Sequence, residues 1–400
     1  MSTIKVNSIQ TAGGLNGLTL NANGQVNVAN TIAFGTSVIG ASSASTMKNR
    51  FINGDMRIDQ RNAGAALTSV GVTAVNYPLD RTMFLVLGSA TGRTTCQRST
   101  DAPAGFTNSF YSTVTTAEAS LSGFEGFAIQ QKIEGFNISD FDYGLSTAKT
   151  TTTSFWVKSS VVGNYAYTLM NDAGTQAYTA TYTINSANTW EYKTITIPGS
   201  TSGSWYKDNN TGLYCVWGLG GATNRTATST NAWVSGPAGG YTPTQAPGCV
   251  SWIANNGATF YITGIQLEVG SASTSFDFRH YQQELAMCQR YFVQFGASAN
   301  EGPSGFAGHW STASVCRFPV ACPVPMRTSP SVTFLNPTTA MSIYRPGTSQ
   351  ASPGSDISSE EISYSGFIVN GGTTSGTSTT GFATHLRCYG AGKILASAEL

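Results

Sequence analysis

The sequence predicts a mainly β protein: an N-terminal β segment, an antiparallel β-sandwich of the jelly-roll type, one short helix and a C-terminal β domain. Three observations predict this class. Short stretches of alternating apolar and polar residues recur along the chain, Gly, Asn, Ser and Thr separate them, and no βαβ alternation is present. The 400 residues suggest two or three domains, and 40% apolar residues can fill their cores.

Charge is scarce in this chain. Charged residues make up 10% of the sequence, against roughly 25% in an ordinary soluble domain. The net charge of +1 gives no electrostatic footprint for nucleic acid or for an anionic membrane. We therefore expect neither nucleic-acid binding nor membrane insertion. A neutral, hydrogen-bonding surface is typical of extended β proteins and of contact with sugars.

Residues 1–48 contain short β patterns separated by turn signals at Gly13-Gly14, Asn16-Gly17 and Asn23-Gly24. One copy has too few apolar side chains for a core of its own. Two interpretations stay open. The segment is either a flexible tail or a set of strands that several chains wrap together into a stalk or attachment plug. The alternating pairs are Ile4 and Val6, Leu18 and Leu20, Val26 and Val28, and Ile32 and Phe34.

Residues 49–278 are expected to form the sandwich, because many short strand patterns follow one another with turn residues between them. The first and last strands of this domain should be neighbours. The strand candidates are 82–87, 127–133, 152–158, 166–170, 177–184, 191–197, 213–219 and 259–269, the last with a bulge at Gly264.

Residues 279–293 are expected to link the two β domains through one helix of about three turns. Over 281–292 the apolar residues recur at helical spacing, at Tyr281, Leu285, Cys288 and Phe292. Residues 294–400 should form the C-terminal β domain, with strand patterns at 318–320, 331–335, 361–369, 382–389 and 393–398. The loops at 346–359 and 370–381 are rich in Gly, Ser and Thr and are candidates for recognition.

Seven cysteines at scattered spacings, without a Cys-x-x-Cys pair, predict neither a disulfide framework nor a zinc site. We expect most of them to be small buried side chains in a chain made in a reducing compartment. The first ten residues lack the apolar run of a secretion signal, so we expect synthesis in a cytoplasm.

Six ordered blocks between residues 49 and 292, together with the start MSTIKVN and the ending ASAEL, resemble tail-fibre and other virion proteins of tailed phages. The blocks are NRFINGDMRIDQRN at 49–62, YPLDR at 77–81, SFWVKS at 154–159, NTWEYKTITIP at 188–198, FYITGIQLEVG at 260–270 and ELAMCQRYF at 284–292.

The resemblance implies a virion appendage, assembled in the host cytoplasm, whose middle domain is similar to jelly-roll carbohydrate-binding modules. It implies a homotrimeric fibre that joins other tail or baseplate proteins through residues 1–48 and adheres to a host surface glycan or receptor, with residues 294–400 as a candidate receptor-binding tip. Two alternatives remain: a virion enzyme that depolymerises surface polysaccharide, and a purely structural tail or baseplate connector.

The candidate glycan contacts are aromatic residues in polar surroundings, because sugar C–H groups pack on rings while hydroxyls need polar partners. Core packing is the usual role of an aromatic side chain, and Trp156 and Trp190 sit in strand patterns. The candidates are Trp205, Tyr206, Trp233 and Tyr241 in a Gly/Ser/Asn/Thr-rich region, and the pair His309 and Trp310.

The one cofactor that the sequence suggests is a structural calcium ion. It would lie between Asp55 and Glu268, where the first and last strands of the sandwich meet. Catalysis is not expected. Polysaccharide cleavage needs two carboxylates about 5 to 9.5 Å apart. Asp55 and Asp59 are expected in one strand region and Asp140 and Asp142 in another, but spacing in sequence does not establish that geometry.

Overall fold

In the computed structural model of the chain, residues 48–71, 76–236, 241–296, 304–344, 357–372 and 379–400 are described, together with five short strands between residues 8 and 39. The described part is built almost wholly from antiparallel strands. The mainly β class is therefore confirmed. No described helix is long and apolar enough to cross a membrane.

The N-terminal strands form two small units. Strands β1 (Ser8–Gln10), β2 (Asn16–Leu20) and β3 (Val26–Val28) make a three-stranded sheet, and β4 (Ile32–Phe34) pairs with β5 (Ser37–Ile39). The strand patterns after residue 16 are confirmed, but the turn expected at 16–17 lies inside β2. Ile4, Val6 and the turn signals at 13–14 and 23–24 lie outside the described residues.

The sandwich consists of two facing antiparallel sheets, ordered β15-β12-β18-β10-β9-β6 and β17-β14-β13-β16-β11-β8-β7. All eight predicted strands are present. The strands are β6 (Leu67–Val70), β7 (Asn76–Leu79), β8 (Thr82–Leu87), β9 (Arg93–Ser99), β10 (Ser109–Thr116), β11 (Gly126–Glu134), β12 (Thr151–Ser159), β13 (Gly163–Met170), β14 (Gln176–Ile184), β15 (Glu191–Ile197), β16 (Thr211–Gly221), β17 (Trp233–Ser235) and β18 (Thr259–Val269). The described part of the domain also contains the 3-10 helices Gly135–Phe141, Thr223–Arg225 and Trp252–Ala254.

Aromatic side chains fill the space between the two sheets. The ring centres of Phe155 on β12 and Trp217 on β16 lie 5.7 Å apart, and Tyr167 on β13 lies 4.9 Å from Trp217. All three are fully buried. Because side chains alternate along a strand, burial of Phe155 and Val157 turns Trp156 to the opposite face of its sheet.

Residues 48–66 form no strand, and residues 49–54 lie along β18. Arg50 N–H donates to the Leu267 carbonyl and Ile265 N–H donates to the Gly54 carbonyl, each at 2.9 Å. A Cβ on Gly54 would meet the Ile265 oxygen at 2.2 Å, so only glycine permits this approach. The two ends of the domain are neighbours, as expected. The strand expected around Asp55 and Asp59 is wrong, because left-handed turns at Asn53 and Met56 break the extended backbone.

Helix α1 (Tyr281–Gln289) ends earlier than predicted, and Phe292 begins strand β19 (Phe292–Phe295). Cys288 packs with Ile52 and Ile58 from the start of the sandwich. Cys288 and Phe292 are therefore buried within one chain. The apolar side of α1 is already covered by its own chain.

The C-terminal part has a separate core between a three-stranded sheet, β19-β27-β22, and a six-stranded sheet, β23-β26-β20-β21-β25-β24. A strand predicted over 361–369 is wrong, because a turn at 364–365 divides it into two. The elements are β20 (Ser304–Trp310), β21 (Val315–Ala321), β22 (Ser331–Leu335), α2 (Pro337–Ala340), β23 (Met341–Tyr344), β24 (Ile357–Ser363), β25 (Gly366–Gly372), β26 (Ala383–Cys388) and β27 (Lys393–Ser397).

The other predicted C-terminal strands are confirmed. Of the two candidate recognition loops, residues 346–356 and 373–378 lie outside the described residues. Five of the seven cysteines are buried, as expected of small apolar side chains.

The last residues after β27 return to the sandwich. Glu399 forms ion pairs with Arg81 and with Arg61, the latter at 2.8 Å. Lys132 Nζ donates to the Leu400 oxygen at 2.9 Å. Arg81 is 2% exposed, and its guanidinium also lies 3.6 Å from the centre of the Tyr291 ring. These contacts fix the C-terminal sheets against the sandwich.

Candidate functional site

The outward face of the six-stranded sandwich sheet carries a row of aromatic rings. Trp156 on β12 lies directly opposite Tyr192 on β15 in the antiparallel register, and their ring centres are 5.3 Å apart. Tyr192 is 43% exposed. Ser154 and Lys158 lie on the same side of β12 as Trp156. The rings of Trp156 and Tyr192 therefore form a platform that solvent reaches.

A second group of rings adjoins the first on the neighbouring strands. Tyr261 on β18 is opposite Lys158 on one side and Tyr111 of β10 on the other. The ring centres of Tyr111 and Tyr261 lie 4.6 Å apart, and Trp190 lies 6.0 Å from Tyr261. We call Tyr111, Trp156, Trp190, Tyr192 and Tyr261 the outer aromatic face.

One ion pair lies against the second group of rings. The Lys158 ammonium pairs with Asp101 and lies 4.3 Å from the Tyr261 ring centre and 5.1 Å from that of Trp190. Trp190 Nε1 donates to Asp101 at 3.1 Å. The hydrogen bond from Lys158 lowers the pKa of Asp101, so this carboxylate is ionised at neutral pH. It offers a polar anchor beside the rings.

A β-bulge at Gly264 brings further aromatic residues to the edge of this face. The register of β12 against β18 shifts between Ser154 and Trp156, which confirms the predicted bulge. Gly264 has a φ of 61°. A Cβ there would meet the Phe106 ring at 2.7 Å and the Trp156 ring at 3.1 Å. The glycine thus lets Phe106 pack against the outer aromatic face, together with Phe276 and Phe278.

The surroundings of the outer aromatic face are mostly neutral and polar. Thr194 and Thr196 continue the exposed side of β15 beyond Tyr192. Gln266 and Glu268 continue the same side of β18, opposite Ser154 and Thr152, but all four side chains are buried. The exposed polar groups beside the rings are the threonine hydroxyls of β15 and the carboxylate of Asp101. Flat rings beside these groups suit a ligand that has apolar C–H faces and many hydroxyls.

Of the two loop tryptophans predicted as glycan contacts, Trp205 is buried and Trp233 is partly exposed. Trp205 is 8% exposed, and its ring centre lies 4.9 Å from Tyr143 and 5.6 Å from Trp233. Trp233 Nε1 donates to the Pro198 carbonyl at 2.7 Å. The prediction for Trp205 is wrong because its ring completes the end of the sandwich core. Trp233 packs against the same core and is only partly exposed.

Tyr206 and Tyr241 are exposed as predicted, but neither lies in the outer aromatic face. Tyr241 stacks at 4.4 Å on Phe124, and the Arg225 guanidinium lies 5.0 Å from its ring centre. A glycan-contacting role for either tyrosine stays a prediction.

His309 and Trp310 point to opposite sides of β20. His309 is exposed, whereas Trp310 is 0% exposed in the C-terminal core. The predicted sugar-contacting pair is therefore wrong for Trp310, because successive side chains of a strand face opposite ways. His309 on its own stays a prediction.

The expected calcium site between Asp55 and Glu268 is not formed. Asp55 pairs with Arg57. Glu268 accepts hydrogen bonds from Gln266 and from the backbone and hydroxyl of Thr274, at 2.7 to 2.8 Å. Each carboxylate has its own partners. Within the described ranges, no group of three or more His, Cys, Asp or Glu side chains could hold a metal ion.

A cleft of about 430 Å³ lies between α1 and the 3-10 helix at 135–141. The Arg290 guanidinium pairs with Glu134 at its wall, and Tyr291 donates to the same carboxylate at 2.6 Å. These polar groups satisfy one another. The outer aromatic face is therefore the better candidate for a polar ligand.

Sequence reasoning missed the outer aromatic face because it assigned Trp156 and Trp190 to core packing. The alternation within 151–159 held the missing signal. Phe155 and Val157 are the apolar members of that strand, so Trp156 shares its face with Ser154 and Lys158. Alternation along β15 likewise places Tyr192, Thr194 and Thr196 on the outward side of the sheet, opposite the buried Ile195 and Ile197.

No protein-family model and no curated protein matches this chain. Among solved structures, it is similar to the enzymatically active domain of tailspike protein 4 of bacteriophage CBA120, at 12% identity and a TM-score of 0.30, over 56% of this chain and 21% of that one. It is also similar to a family 11 carbohydrate-binding module of Clostridium thermocellum in complex with a mixed-linked tetrasaccharide (12% identity, TM-score 0.25, 53% and 99% covered). A third similar structure is the xylan-binding domain of Paenibacillus barcinonensis Xyn10C, at 12% identity and a TM-score of 0.23, over 53% of this chain and 99% of that one.

The chain thus spans about a fifth of the tailspike structure and nearly the full length of the two carbohydrate-binding modules. Because the three TM-scores do not exceed 0.30, the fold assignment rests on the two antiparallel sheets of the sandwich itself.

Proposed function

We propose that this protein is a non-enzymatic adhesion component of a tailed-phage virion, which binds a host surface glycan on the outer aromatic face. One observation carries the proposal: five aromatic rings from β10, β12, β15, β18 and the turn before β15 form two contacting groups on the outward side of one sheet. Rings that only stabilise the fold are normally buried in the core. These rings are held in place and remain accessible.

The expected ligand is a neutral oligosaccharide. Its C–H faces would pack on Trp156, Tyr192 and Tyr261, where rigid rings lose little entropy on binding. Because Lys158 and Asp101 neutralise each other, they favour no ionic ligand and instead offer a donor and an acceptor to hydroxyl groups.

The sequence resemblance supports the virion part of the proposal. Three of the blocks that resemble tail-fibre proteins carry four of the five rings: Trp156 in 154–159, Trp190 and Tyr192 in 188–198, and Tyr261 in 260–270. The segments that resemble phage appendage proteins are thus the segments that build the outer aromatic face. Attachment to other tail or baseplate proteins is proposed for residues 1–48, where only short strands are described.

The electrostatics of the site favour binding over cleavage. Glycoside hydrolysis needs one carboxylic acid that stays protonated near neutral pH. Asp101, which touches the outer aromatic face, has a lowered pKa. Hydrogen bonds from Lys193 and from Asn185 and Ser186 lower the pKa of Glu191, at the edge of the same sheet, to about 2. Neither carboxyl group suits the role of a general acid.

A glycan array tests the proposal. The intact protein should bind neutral bacterial surface oligosaccharides, and Tyr192→Ala should weaken that binding roughly thirtyfold, the loss typical of a central aromatic contact. Tyr364→Ala is the matched control, because Tyr364 is an exposed tyrosine in the turn between β24 and β25. No binding to any neutral glycan would contradict the proposal, and steady release of reducing ends would favour the depolymerase alternative.

A further inference from the structure

The outward face of the six-stranded C-terminal sheet carries a second, different cluster. Tyr344 on β23 lies opposite His385 on β26, and the two rings are stacked with centres 4.8 Å apart and planes at 14°. Tyr344 is exposed and His385 is half-buried. Along β26, the even-numbered residues Thr384, Leu386 and Cys388 are buried, so His385 faces outward with Arg387.

Arg387 extends this stack as a cation. Its Nε donates to His385 Nε2 at 2.9 Å, and its guanidinium carbon lies 5.1 Å from the Tyr344 ring centre. No ion pair of Arg387 with an acidic side chain occurs among the residues that the structure describes. By contrast, Arg317 on the same sheet is paired with Glu360 and with Glu361. The guanidinium of Arg387 is therefore held in one orientation, and no described acidic side chain neutralises its charge.

The strand next to the stack leaves room for a ligand. On β20, Gly305 lies opposite Arg387 and Ala307 lies opposite His385. Ala307 is exposed, and among the described residues a Cβ on Gly305 would meet only the Leu386 oxygen, at 3.8 Å. These small residues form an open floor beside the outward nitrogens of Arg387.

We propose that Tyr344, His385 and Arg387 form a binding site for an oxyanion, namely the carboxylate or phosphate group of an acidic surface glycan. The outer Nη edge of Arg387 would donate to the oxyanion, since guanidinium binds planar and tetrahedral oxyanions through paired hydrogen bonds. Because His385 Nε2 accepts from Arg387, the proton of the neutral ring is on Nδ1, where it adds a donor.

His385 serves this site as a neutral ring. Partial burial and the adjacent Arg387 charge lower its pKa, which keeps Nε2 available as an acceptor at pH 7. The titratable and charged groups that face it are Arg387 on its own strand and Tyr344 on β23, while β20 contributes Gly305 and Ala307. The neutral glycan of the outer aromatic face would not need this site, so the two binding activities are separable.

Titration calorimetry of the intact protein with two probes tests the proposal. The probes are a trigalacturonate oligosaccharide, which carries carboxylates, and inorganic phosphate. We expect saturable binding of at least one of them, weakened about tenfold or more by Arg387→Gln because a charge-assisted contact is removed. The fully methyl-esterified trigalacturonate, which has no charge, should not bind at this site. Which probe binds decides between a uronic acid and a phosphate as the source of the oxyanion.

Arg317→Gln is the matched control, because it removes the same charge from the same sheet but from a neutralised guanidinium. It should change the affinity by less than twofold. Arg387→Lys, which keeps the charge and loses the paired donors, should bind more weakly than wild type and more tightly than Arg387→Gln. Thermal melts confirm that each variant is folded. Absence of binding by both probes at millimolar concentration, or equal loss in the two glutamine variants, would overturn the site.

Discussion

Trp156 and Tyr192 stand side by side on the outside of a sheet, ring centres 5.3 Å apart, while Phe155, the neighbour of Trp156, is buried in the core. Two aromatic residues adjacent in sequence thus have opposite roles. Phe155 joins the two sheets, and Trp156 contributes to the outer aromatic face. The placement of Trp156 follows from strand alternation and from the bulge at Gly264. The bulge sets the register of β18 against β12, the strand that carries Trp156.

Gly264→Ala should destabilise the protein and disturb the outer aromatic face, because an alanine there has a strained φ and meets the Phe106 and Trp156 rings. We expect a loss of about 2 to 3 kcal/mol in the free energy of unfolding, measured by chemical denaturation. Gly257→Ala is the control, since Gly257 has a φ of 76° and nothing lies within 4 Å of its added Cβ. Its cost should be only about 1 kcal/mol, from backbone strain alone. Equal costs would show that the ring contacts do not matter.

Glu399→Gln should weaken the attachment of the C-terminal sheets to the sandwich. Arg81 is buried, and Glu399 is the largest charge that compensates its burial. Leaving that guanidinium unpaired should cost about 3 kcal/mol or more, seen as a lower denaturation midpoint. Glu360→Gln removes a carboxylate from a surface ion pair with Arg317 and should leave the midpoint nearly unchanged. If both variants unfold like wild type, the Arg81–Glu399 pair does not hold the two parts together.

Stability should rise when the pH falls from 7.5 to 5, through Asp80. Burial raises the pKa of Asp80 to about 6, above its value of 3.8 in the unfolded chain. The folded state then binds a proton more readily, so the stabilisation from protonation is complete below pH 3.8 and lost as the pH rises through 6. Between pH 7.5 and 5 the gain is about 1 kcal/mol. Asp80→Asn should remove this increment, and an unchanged pH profile in that variant would exclude Asp80 as its source.

The sequence predicted the sandwich well because strands 191–197 and 259–269 alternate between apolar and polar residues over much of their length, and 82–87 is a short, nearly continuous apolar run. The entry segment at 49–62 could not be read this way. Its backbone forms hydrogen bonds to β18 at intervals and adopts left-handed conformations at Asn53 and Met56. Neither feature produces a periodic pattern of apolar residues. The helix end was missed because Phe292 keeps the helical spacing of the apolar residues. In the structure, Phe292 begins β19 and pairs with Ser397 of β27.

Binding residues were harder to predict than strands. Trp205 and Trp233 lie in polar sequence yet pack on each other and on Tyr143, a contact between distant segments that composition does not reveal. The converse error was made for Trp156, whose exposure depends on which side of the sheet faces the core.

The intact protein should be a parallel homotrimer assembled through residues 1–48. Strands β1 to β5 are three to five residues long, too short to bury a core in one chain, and the apolar face of α1 is already covered by its own chain. Light scattering should give about three times the chain mass of 42.0 kDa, and deletion of residues 1–48 should give one chain mass. A mass near 42.0 kDa for the intact protein at micromolar concentration would rule the trimer out.

Titration calorimetry with the neutral oligosaccharide that binds best on the array tests glycan binding by the outer aromatic face most directly. Trp156→Ala and Tyr261→Ala should each lower the affinity at least about tenfold, while Tyr364→Ala should stay within twofold of wild type. Circular dichroism checks that the variants keep their β spectrum. If Trp156→Ala and Tyr261→Ala bind as tightly as wild type, or if affinity is lost in Tyr206→Ala or Tyr241→Ala instead, the outer aromatic face is not the glycan site.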